Sequence, residues 1–195
     1  MSHRLNGLIL CGGKSTRMGR DKSLISYHGK PQRDHLADLL KPLCSEVYFS
    51  VPKGTKATLT IIPDHFDFNS PLNGILSAFH FDPQAAWLTV PVDMPNIDTK
   101  IIQYLIRHRN MQCDATCFLD SEGENPEPLF TIWEAKSKPV LFDFFNNGNI
   151  SPRKFLADHD VHMLSTSKNI LVNINSPEEM AEYFRQSGKT IQGHS

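Results

Sequence analysis

Residues 8 to 22 read LILCGGKSTRMGRDK, an apolar run followed at once by a glycine pair and several cationic side chains. Gly12 and Gly13 carry no Cβ, so the chain can turn tightly here and bring consecutive backbone amides close to a ligand. Oriented amides bind anions, and full positive charges are added by Lys14, Arg17, Arg20 and Lys22. The stretch predicts a strand that ends in a phosphate-binding loop. The alternative is an ordinary turn whose basic side chains are only hydrated.

Two common nucleotide-binding patterns do not fit this spacing. The P-loop requires a glycine, four free positions and then Gly-Lys-Ser or Gly-Lys-Thr. Its ending matches at Gly13, but Leu8 stands where the first glycine belongs. The Rossmann pattern G-x-G-x-x-G cannot be drawn through Gly12, Gly13 and Gly19 either. The loop therefore belongs to neither of these classes.

Short apolar runs alternate along the chain with longer segments compatible with helices. The predicted strands are 5–10, 47–51, 59–62, 88–92, 115–119 and 129–133, and the predicted helices are 33–43, 72–79, 99–107, 151–158 and one from 176. This rhythm predicts an α/β three-layer sandwich, with a Rossmann-like, mostly parallel sheet between two helical layers. Ligands are expected at the carboxyl ends of its strands. Residues 1–187 are predicted to form one domain, and 188–195 a loose C-terminal tail.

Composition argues against several classes of function. A net charge of −1 over 195 residues provides no basic field for a nucleic-acid backbone, so a small ligand is favoured. The cysteines show neither C-x-x-C pairs nor zinc-site spacing, which favours a reduced compartment. No apolar run is long enough to span a membrane, and no secretory h-region precedes the first strand. We therefore expect a cytoplasmic protein with no nucleic-acid or membrane partner.

An aspartate follows the apolar strand in WLTVPVDMP, residues 87 to 95, between two prolines that stiffen the turn. This places Asp93 at the rim of the predicted sheet. Mg²⁺ binds in proteins through one or two carboxylates together with substrate phosphates and water, so Asp93 is the candidate metal ligand. The alternative is that Asp93 only stabilises a turn or caps the helix that starts near Asp98.

Near the C-terminus, LVNINSPEEM places two asparagines before a capping box formed by Ser176 and Glu179. Amides both donate and accept hydrogen bonds, so Asn173 and Asn175 could orient an acceptor phosphate or the water shell of a metal. The simpler interpretation, a strand end followed by a capped helix, explains Ser176 fully and the asparagines only in part.

Four motifs carry a family resemblance. LCGGKSTRMGRDK, residues 10 to 22, resembles the L-A-G-G-x-S-x-R-M-G-x-D-K signature of the nucleotidyltransferases that include molybdenum cofactor guanylyltransferase, with Cys11 for its alanine. Asp93 stands in the family's P-x-D-x-P setting, SPLNGI resembles G-P-L-x-G-I, and NINSPEE resembles N-x-N-[ST]-P-E-E. The glycine pair resembles the guanylyl-transferring branch, because related cytidylyltransferases more often have alanine before the second glycine. The motifs span residues 5 to 180.

The resemblance implies a fold of the nucleotide-diphospho-sugar transferase type and transfer of GMP from GTP to molybdopterin, or to molybdenum-loaded molybdopterin, with Mg²⁺ as cofactor. It further implies exchange with molybdenum cofactor biosynthesis proteins and acceptor apo-enzymes. Three alternatives remain open. They are cytidylyl transfer to the same cofactor, nucleotidyl transfer to a sugar phosphate, and a nucleotide-binding regulatory module without turnover.

By the same resemblance, each candidate residue receives a role. The catalytic residues are Arg17, Lys22 and Asp93, and the metal ligand is Asp93. The nucleotide-binding residues are Leu10, Cys11, Gly12, Gly13, Lys22, Ser50, Asp64 and Asp93, and the acceptor-binding residues are Asn173 and Asn175. Asp64 would accept hydrogen bonds from guanine or from ribose, or would only stabilise a turn. Ser50 stands where relatives often have asparagine, and Gln32 and Arg33 replace apolar residues, which predicts an altered surface or contact face.

Overall fold

A seven-stranded sheet forms the frame of the computed structural model, which describes residues 4–12, 22–56, 58, 60–167 and 169–187. The strands are β1 (Leu5–Leu10), β2 (Val47–Val51), β3 (Ile61–Pro63), β4 (Ala86–Pro91), β5 (Ala115–Leu119), β6 (Pro126–Trp133) and β7 (Val161–Leu164). They lie in the order β3-β2-β1-β4-β6-β5-β7. Only β6 runs antiparallel to its neighbours, because a short loop joins it to β5 whereas a parallel return needs a longer crossover.

Six α-helices are present in the described part of the chain. They are α1 (Gln32–Leu40), α2 (Pro71–Phe81), α3 (Thr99–Arg107), α4 (Lys138–Asn146), α5 (Pro152–Asp158) and α6 (Pro177–Ser187). The sequence explains several of their starts. Ser70 and Ser151 each cap a helix whose first residue is proline, where the missing N–H costs nothing. Asp98 caps α3 by accepting from the amide of Ile101 at 3.0 Å.

The helices lie on both faces of the sheet, because successive strand residues point to opposite sides. In β1, Ile9 belongs to the apolar cluster that includes α1 and α3, while its neighbour Leu8 belongs to the cluster that includes α2, α4 and α5. The predicted α/β three-layer sandwich is therefore confirmed. No helix among the described residues has both the length and the apolar character needed to cross a bilayer.

The predicted elements differ from the observed ones mainly in the second half of the chain. Strands β1, β2 and β5 and helix α3 have the predicted bounds, whereas α4 and β7 were missed. Strand β6 also begins at Pro126 rather than at residue 129. Its proline-containing start lies beyond the stretch that pairs with β4, so the missing N–H groups break no bond on that side. The tail expected at 188–195 lies outside the described residues.

The predicted surface role of Gln32 is wrong. Its side chain is fully buried at the first position of α1, whereas Arg33 is exposed as expected. Neither polar atom of the Gln32 amide has a hydrogen-bond partner among the described residues. An amide buried in this way costs free energy that an apolar side chain of similar volume does not.

We expect Gln32→Leu to raise the free energy of unfolding by about 1 kcal/mol, since it removes two unsatisfied polar atoms from the interior. Urea denaturation of the two proteins measures the difference. Arg33→Leu, at the adjacent exposed position, is the control and should leave stability unchanged. A loss of stability in Gln32→Leu would contradict the expected cost of the buried amide.

Candidate functional site

A cleft of about 350 Å³ opens along one edge of the sheet. The residues that line it lie at or just beyond the carboxyl ends of β1 to β4, at the start of α2, within the antiparallel β6 or, in the case of Lys22, further along the chain from β1. They are Leu10, Cys11, Gly12, Lys22, Ser50, Asp64, Asn69, Ser70, Pro71, Pro91, Val92, Asp93 and Leu129. This is the edge at which parallel α/β sheets bind ligands, as the sequence predicted.

Cys11 and Gly12, the described residues that follow β1, line this cleft. The amide of Cys11 donates to the carbonyl oxygen of Ser50 at 3.0 Å, so the first residue after β1 is still hydrogen-bonded to β2. Gly12 is exposed, and a Cβ placed there would meet no described atom within 4 Å. The described part of the chain therefore gives no packing reason for a glycine at this position. The predicted residues Gly13 and Arg17 lie outside the described residues.

Lys22 meets Asp93 and the segment before α6. Its Nζ donates to the side-chain oxygen of Asn175 at 2.8 Å and to the carbonyl oxygen of Ile174 at 3.1 Å. The same Nζ lies 3.8 Å from Oδ2 of Asp93, and both side chains are about one-fifth exposed. Three candidate residues far apart in sequence are thus brought together, with a cation placed beside a carboxylate.

Asp93 carries a carboxylate oxygen that the described protein does not satisfy. Its Oδ1 is buried and accepts no hydrogen bond from a described residue, while its backbone oxygen accepts from the amide of Ile174 at 2.8 Å. Burial raises the pKa of Asp93, and the nearby Lys22 ammonium opposes that rise. Because Asp98 caps α3 itself, the capping role considered for Asp93 is not needed.

This oxygen fits a divalent cation. An ion at Oδ1 would remove the cost of an unsatisfied buried carboxylate. The described residues contain no cluster of three or more His, Cys, Asp or Glu side chains that could hold a metal. Among the described residues, Asp93 would then be joined by few other protein ligands, and phosphate and water oxygens could complete the shell of a hard divalent cation.

The opposite wall of the cleft contains Ser50 and Asp64. Ser50 is buried at the end of β2, and the amide of Asp64 donates to the carbonyl oxygen of Val51 at 2.9 Å. Burial raises the pKa of Asp64 to about 6. Helix α2 approaches β2 closely here. A Cβ built on Gly74 would lie only 2.4 Å from Oγ of Ser50. The small residues at 50 and 74 therefore permit this approach.

We expect Gly74→Ala to lower the free energy of unfolding by about 2 kcal/mol, since the added methyl group collides with Ser50 and also lies 3.3 Å from Leu10. Thermal or urea denaturation measures the loss. Ser50→Ala in the same chain removes the nearest clashing atom and should recover part of it. The close packing would be contradicted if Gly74→Ala were as stable as the unaltered protein.

Asp64→Asn is expected to stabilise the ligand-free protein at pH 8 and not at pH 4. The folded state binds the proton of Asp64 more tightly than the unfolded state, whose pKa is near 3.8, so its stabilising contribution is lost as pH rises from about 4 to about 6. After a discount for partial exposure, the gain at pH 8 is about 1 kcal/mol. Urea denaturation at both pH values tests this. The exposed Asp67→Asn is the control, and an equal gain at both pH values would contradict the assignment.

The structure separates the two predicted acceptor residues. Asn175 contacts Lys22, whereas Asn173 lines a second cleft, of about 770 Å³, between α6 and the segment that precedes it. Sequence reasoning assigned no role to Asn69, Pro71 and Leu129, which line the main cleft, or to the backbone oxygen of Ile174. Position was their only sequence signal. Asn69 and Pro71 lie at the Pro-Leu motif, Leu129 begins a predicted strand, and Ile174 stands beside Asn175.

Comparison with known proteins gives consistent matches. The family model described as MobA-like NTP transferase domain matches residues 7–164. A molybdenum cofactor biosynthesis bifunctional protein of Synechocystis is 32% identical over 184 residues, which cover 91% of this chain. The chain spans only 53% of that relative. The molybdenum cofactor guanylyltransferase of Vibrio parahaemolyticus is 28% identical over 187 residues, covering 90% of this chain and 93% of the relative.

Solved structures share the fold at low sequence identity. Molybdopterin-guanine dinucleotide biosynthesis protein A of Archaeoglobus fulgidus superposes with a TM-score of 0.76 at 18% identity, covering 95% of this chain and 100% of that one. The 4-diphosphocytidyl-2C-methyl-D-erythritol synthase of Anaerococcus prevotii gives 0.68 at 10% identity, covering 96% and 99%. At these identities the likeness concerns the arrangement of strands and helices only.

Proposed function

The chain belongs to the MobA-like NTP transferase family, and from this premise we propose that it transfers GMP from GTP to molybdopterin. The products are the guanine dinucleotide form of the cofactor and pyrophosphate. One observation carries the proposal. Lys22 and Asp93 lie side by side in the lining of a cleft at the end of β1, and the buried Oδ1 of Asp93 has no hydrogen-bond partner among the described residues. This is the charge arrangement that a triphosphate with a divalent cation requires.

The reaction replaces one phosphoanhydride bond by another. An oxygen of the terminal phosphate of molybdopterin attacks the α-phosphorus of GTP, and the bond from that phosphorus to the bridging oxygen breaks. Pyrophosphate leaves with the electron pair. The attacking phosphate is already anionic near neutral pH, so no residue has to remove its proton. The chain's contribution is to hold the two substrates in line and to offset their negative charge.

Mg²⁺ is the proposed ion, and when bound it neutralises phosphate charge and orients phosphate oxygens. Asp93 would hold it through its side-chain carboxylate, whose Oδ1 has no hydrogen-bond partner among the described residues. Lys22 has two roles in this proposal. Its ammonium offsets charge on the triphosphate, and its position 3.8 Å from Asp93 favours the ionised carboxylate that a metal ligand must be.

The remaining assignments are those that the family resemblance implies. The backbone of Gly12 and Gly13 would cradle the phosphates, with Arg17 as a further cation. No described atom lies within 4 Å of a Cβ built on Gly12, which supports this role for the first of them. The other proposed nucleotide-binding residues lie along the cleft and are Leu10, Cys11, Ser50 and Asp64. Asn173 and Asn175 are the proposed acceptor-binding residues.

The setting of the reaction is also proposed. We assign residues 1–187 to one nucleotidyltransferase domain that acts in the cytoplasm. Molybdopterin, with or without molybdenum, would come from other proteins of molybdenum cofactor biosynthesis, and the product would pass to acceptor apo-enzymes. Neither step requires nucleic acid or a membrane.

Equilibrium binding and pyrophosphate release together test the proposal. With Mg²⁺ present, titration calorimetry should show tighter binding of GTP than of CTP or ATP, and pyrophosphate should appear only when molybdopterin is added. Preference for CTP would indicate the cytidylyl-transferring activity. Release with a sugar phosphate but not with molybdopterin would indicate a different acceptor. Tight nucleotide binding without release under either condition would indicate a regulatory module.

A further inference from the structure

The segment that leads into α6 lies against the proposed catalytic residues. We call residues 169–176 the strap. At Ile174 the strap binds both partners of the charge pair, because its amide donates to the backbone oxygen of Asp93 at 2.8 Å and its carbonyl oxygen accepts from Lys22 at 3.1 Å. The side chain of Asn175 provides a second acceptor for Lys22 at 2.8 Å. The strap thus fixes the position of the Lys22 ammonium.

The carboxylate of Glu179 binds this end of the strap. Oε2 of Glu179 accepts from the amide of Asn175 at 2.6 Å and from the amide of Ser176 at 3.1 Å. In return, Oγ of Ser176 accepts from the amide of Glu179 at 3.2 Å. This is the predicted capping box with one addition. An ordinary capping box bonds the glutamate to the cap residue, whereas here the shorter bond reaches the residue before the cap.

Apolar packing joins α6 to the chain just after Lys22. Met180 and Phe184 of α6 share a buried cluster with Ile25, Tyr27 and Ile174. The cluster therefore contains residues from α6, from the strap and from the segment that carries Lys22. Because α6 is anchored independently of Glu179, loss of that carboxylate should release the strap locally without detaching the helix.

We propose that Glu179 is a positioning residue for Lys22 and acts through Asn175. The catalytic meaning of this inference rests on the proposed function. The hydrogen bonds from which it is argued do not depend on that function. A lysine side chain has several rotatable bonds, and an ammonium without fixed acceptors samples many positions. Glu179 orders the backbone of Asn175, which holds the amide acceptor in place, and thereby keeps the ammonium beside Asp93.

The test compares the reactivity of the Lys22 amine in Glu179→Ala with that in two control variants. Ser176→Ala removes the other half of the capping box but leaves both bonds to Glu179. Glu182→Ala removes a negative charge from the same helix, where it pairs with Arg185. Each full-length protein is treated with an amine-selective acylating reagent, and the acylation rate of Lys22 is followed by peptide mass spectrometry. Lys30, an exposed lysine paired with Asp38, serves as an internal reference.

Glu179→Ala should raise the acylation rate of Lys22 about tenfold, the equivalent of one lost hydrogen bond to a charged group. The rate should change less than about twofold in either control, since both retain the bond from Asn175 to Glu179. Glu179→Gln keeps an acceptor oxygen and should restore part of the protection. Equal increases in Glu179→Ala and Ser176→Ala would overturn the proposal, because they would make Glu179 a helix cap only. An unchanged Lys22 rate in Glu179→Ala would overturn it as well.

Titration with GTP and Mg²⁺ separates this inference from the proposed function. If both hold, Glu179→Ala should weaken GTP binding about tenfold, and the two controls should bind as the unaltered protein does. If the unaltered protein binds no GTP while the Lys22 rates follow the expected pattern, the proposed function fails and the positioning role stands. If GTP binds normally to Glu179→Ala and its Lys22 rate is unchanged, the positioning role fails alone.

Discussion

Asp93→Asn is expected to lower the rate of guanylyl transfer by a factor of about a thousand while leaving the fold intact. The neutral amide is a far weaker metal ligand than the carboxylate of Asp93, a residue that lines the cleft. It also leaves the Lys22 ammonium without its anionic partner. Stability should not fall, because burial already disfavours the charged form of Asp93 and asparagine has nearly the same size.

The measurement is the rate of acceptor-dependent pyrophosphate release at saturating GTP and Mg²⁺, together with urea denaturation. Asp98→Asn is the matched control, since it makes the same chemical change five residues further on. Asparagine caps a helix as well as aspartate does, so this variant should keep full activity. Transfer by Asp93→Asn at more than about a tenth of the normal rate would remove Asp93 from the metal site.

Lys22→Met is expected to reduce transfer at least about a hundredfold, since it removes a charge-assisted contact to the triphosphate. The same change should alter the pH dependence. Lys22 lowers the pKa of Asp93, so that pKa should rise when Lys22 is removed. Because activity needs the ionised carboxylate, its loss on acidification should then begin at a higher pH. Rates of pyrophosphate release between pH 5 and pH 8 would show both effects.

Lys30→Met is the control for Lys22→Met, because Lys30 pairs with Asp38 on the exposed side of α1. It should preserve both the rate and the pH profile, since the contribution of an exposed ion pair is small. If the acid side of the pH–rate profile does not shift in Lys22→Met, Lys22 does not act on Asp93. A normal rate would remove Lys22 from the phosphate site altogether.

Features encoded within a few residues were predicted well from the sequence. The residues that directly follow β1, Cys11 and Gly12, line the cleft, and Ser176 and Glu179 form the predicted capping box. Both depend on backbone conformation and hydrogen bonds between near neighbours. The edge of the sheet that carries the cleft was predicted for a similar reason, since parallel strands place their carboxyl ends together.

Contacts between distant residues could not be predicted in the same way. Lys22 and Asn175 are 153 positions apart, so their hydrogen bond depends on how α6 packs against the segment after Lys22. The burial of Gln32 is another such case, because a polar side chain in a basic stretch gives a surface signal. Strand β7 was missed because it is short and only one of its four residues is buried. Helix α4 was missed in a phenylalanine-rich stretch whose buried positions are few.

Mass spectrometry of the reaction product tests the central claim most directly. The full-length protein is mixed with Mg²⁺, molybdenum-loaded molybdopterin and equal amounts of GTP, CTP and ATP, and Asp93→Asn is assayed in parallel. We predict a guanine dinucleotide as the main product of the unaltered protein and its loss in the variant. A cytosine product, or a guanine product formed equally well by Asp93→Asn, would contradict the account.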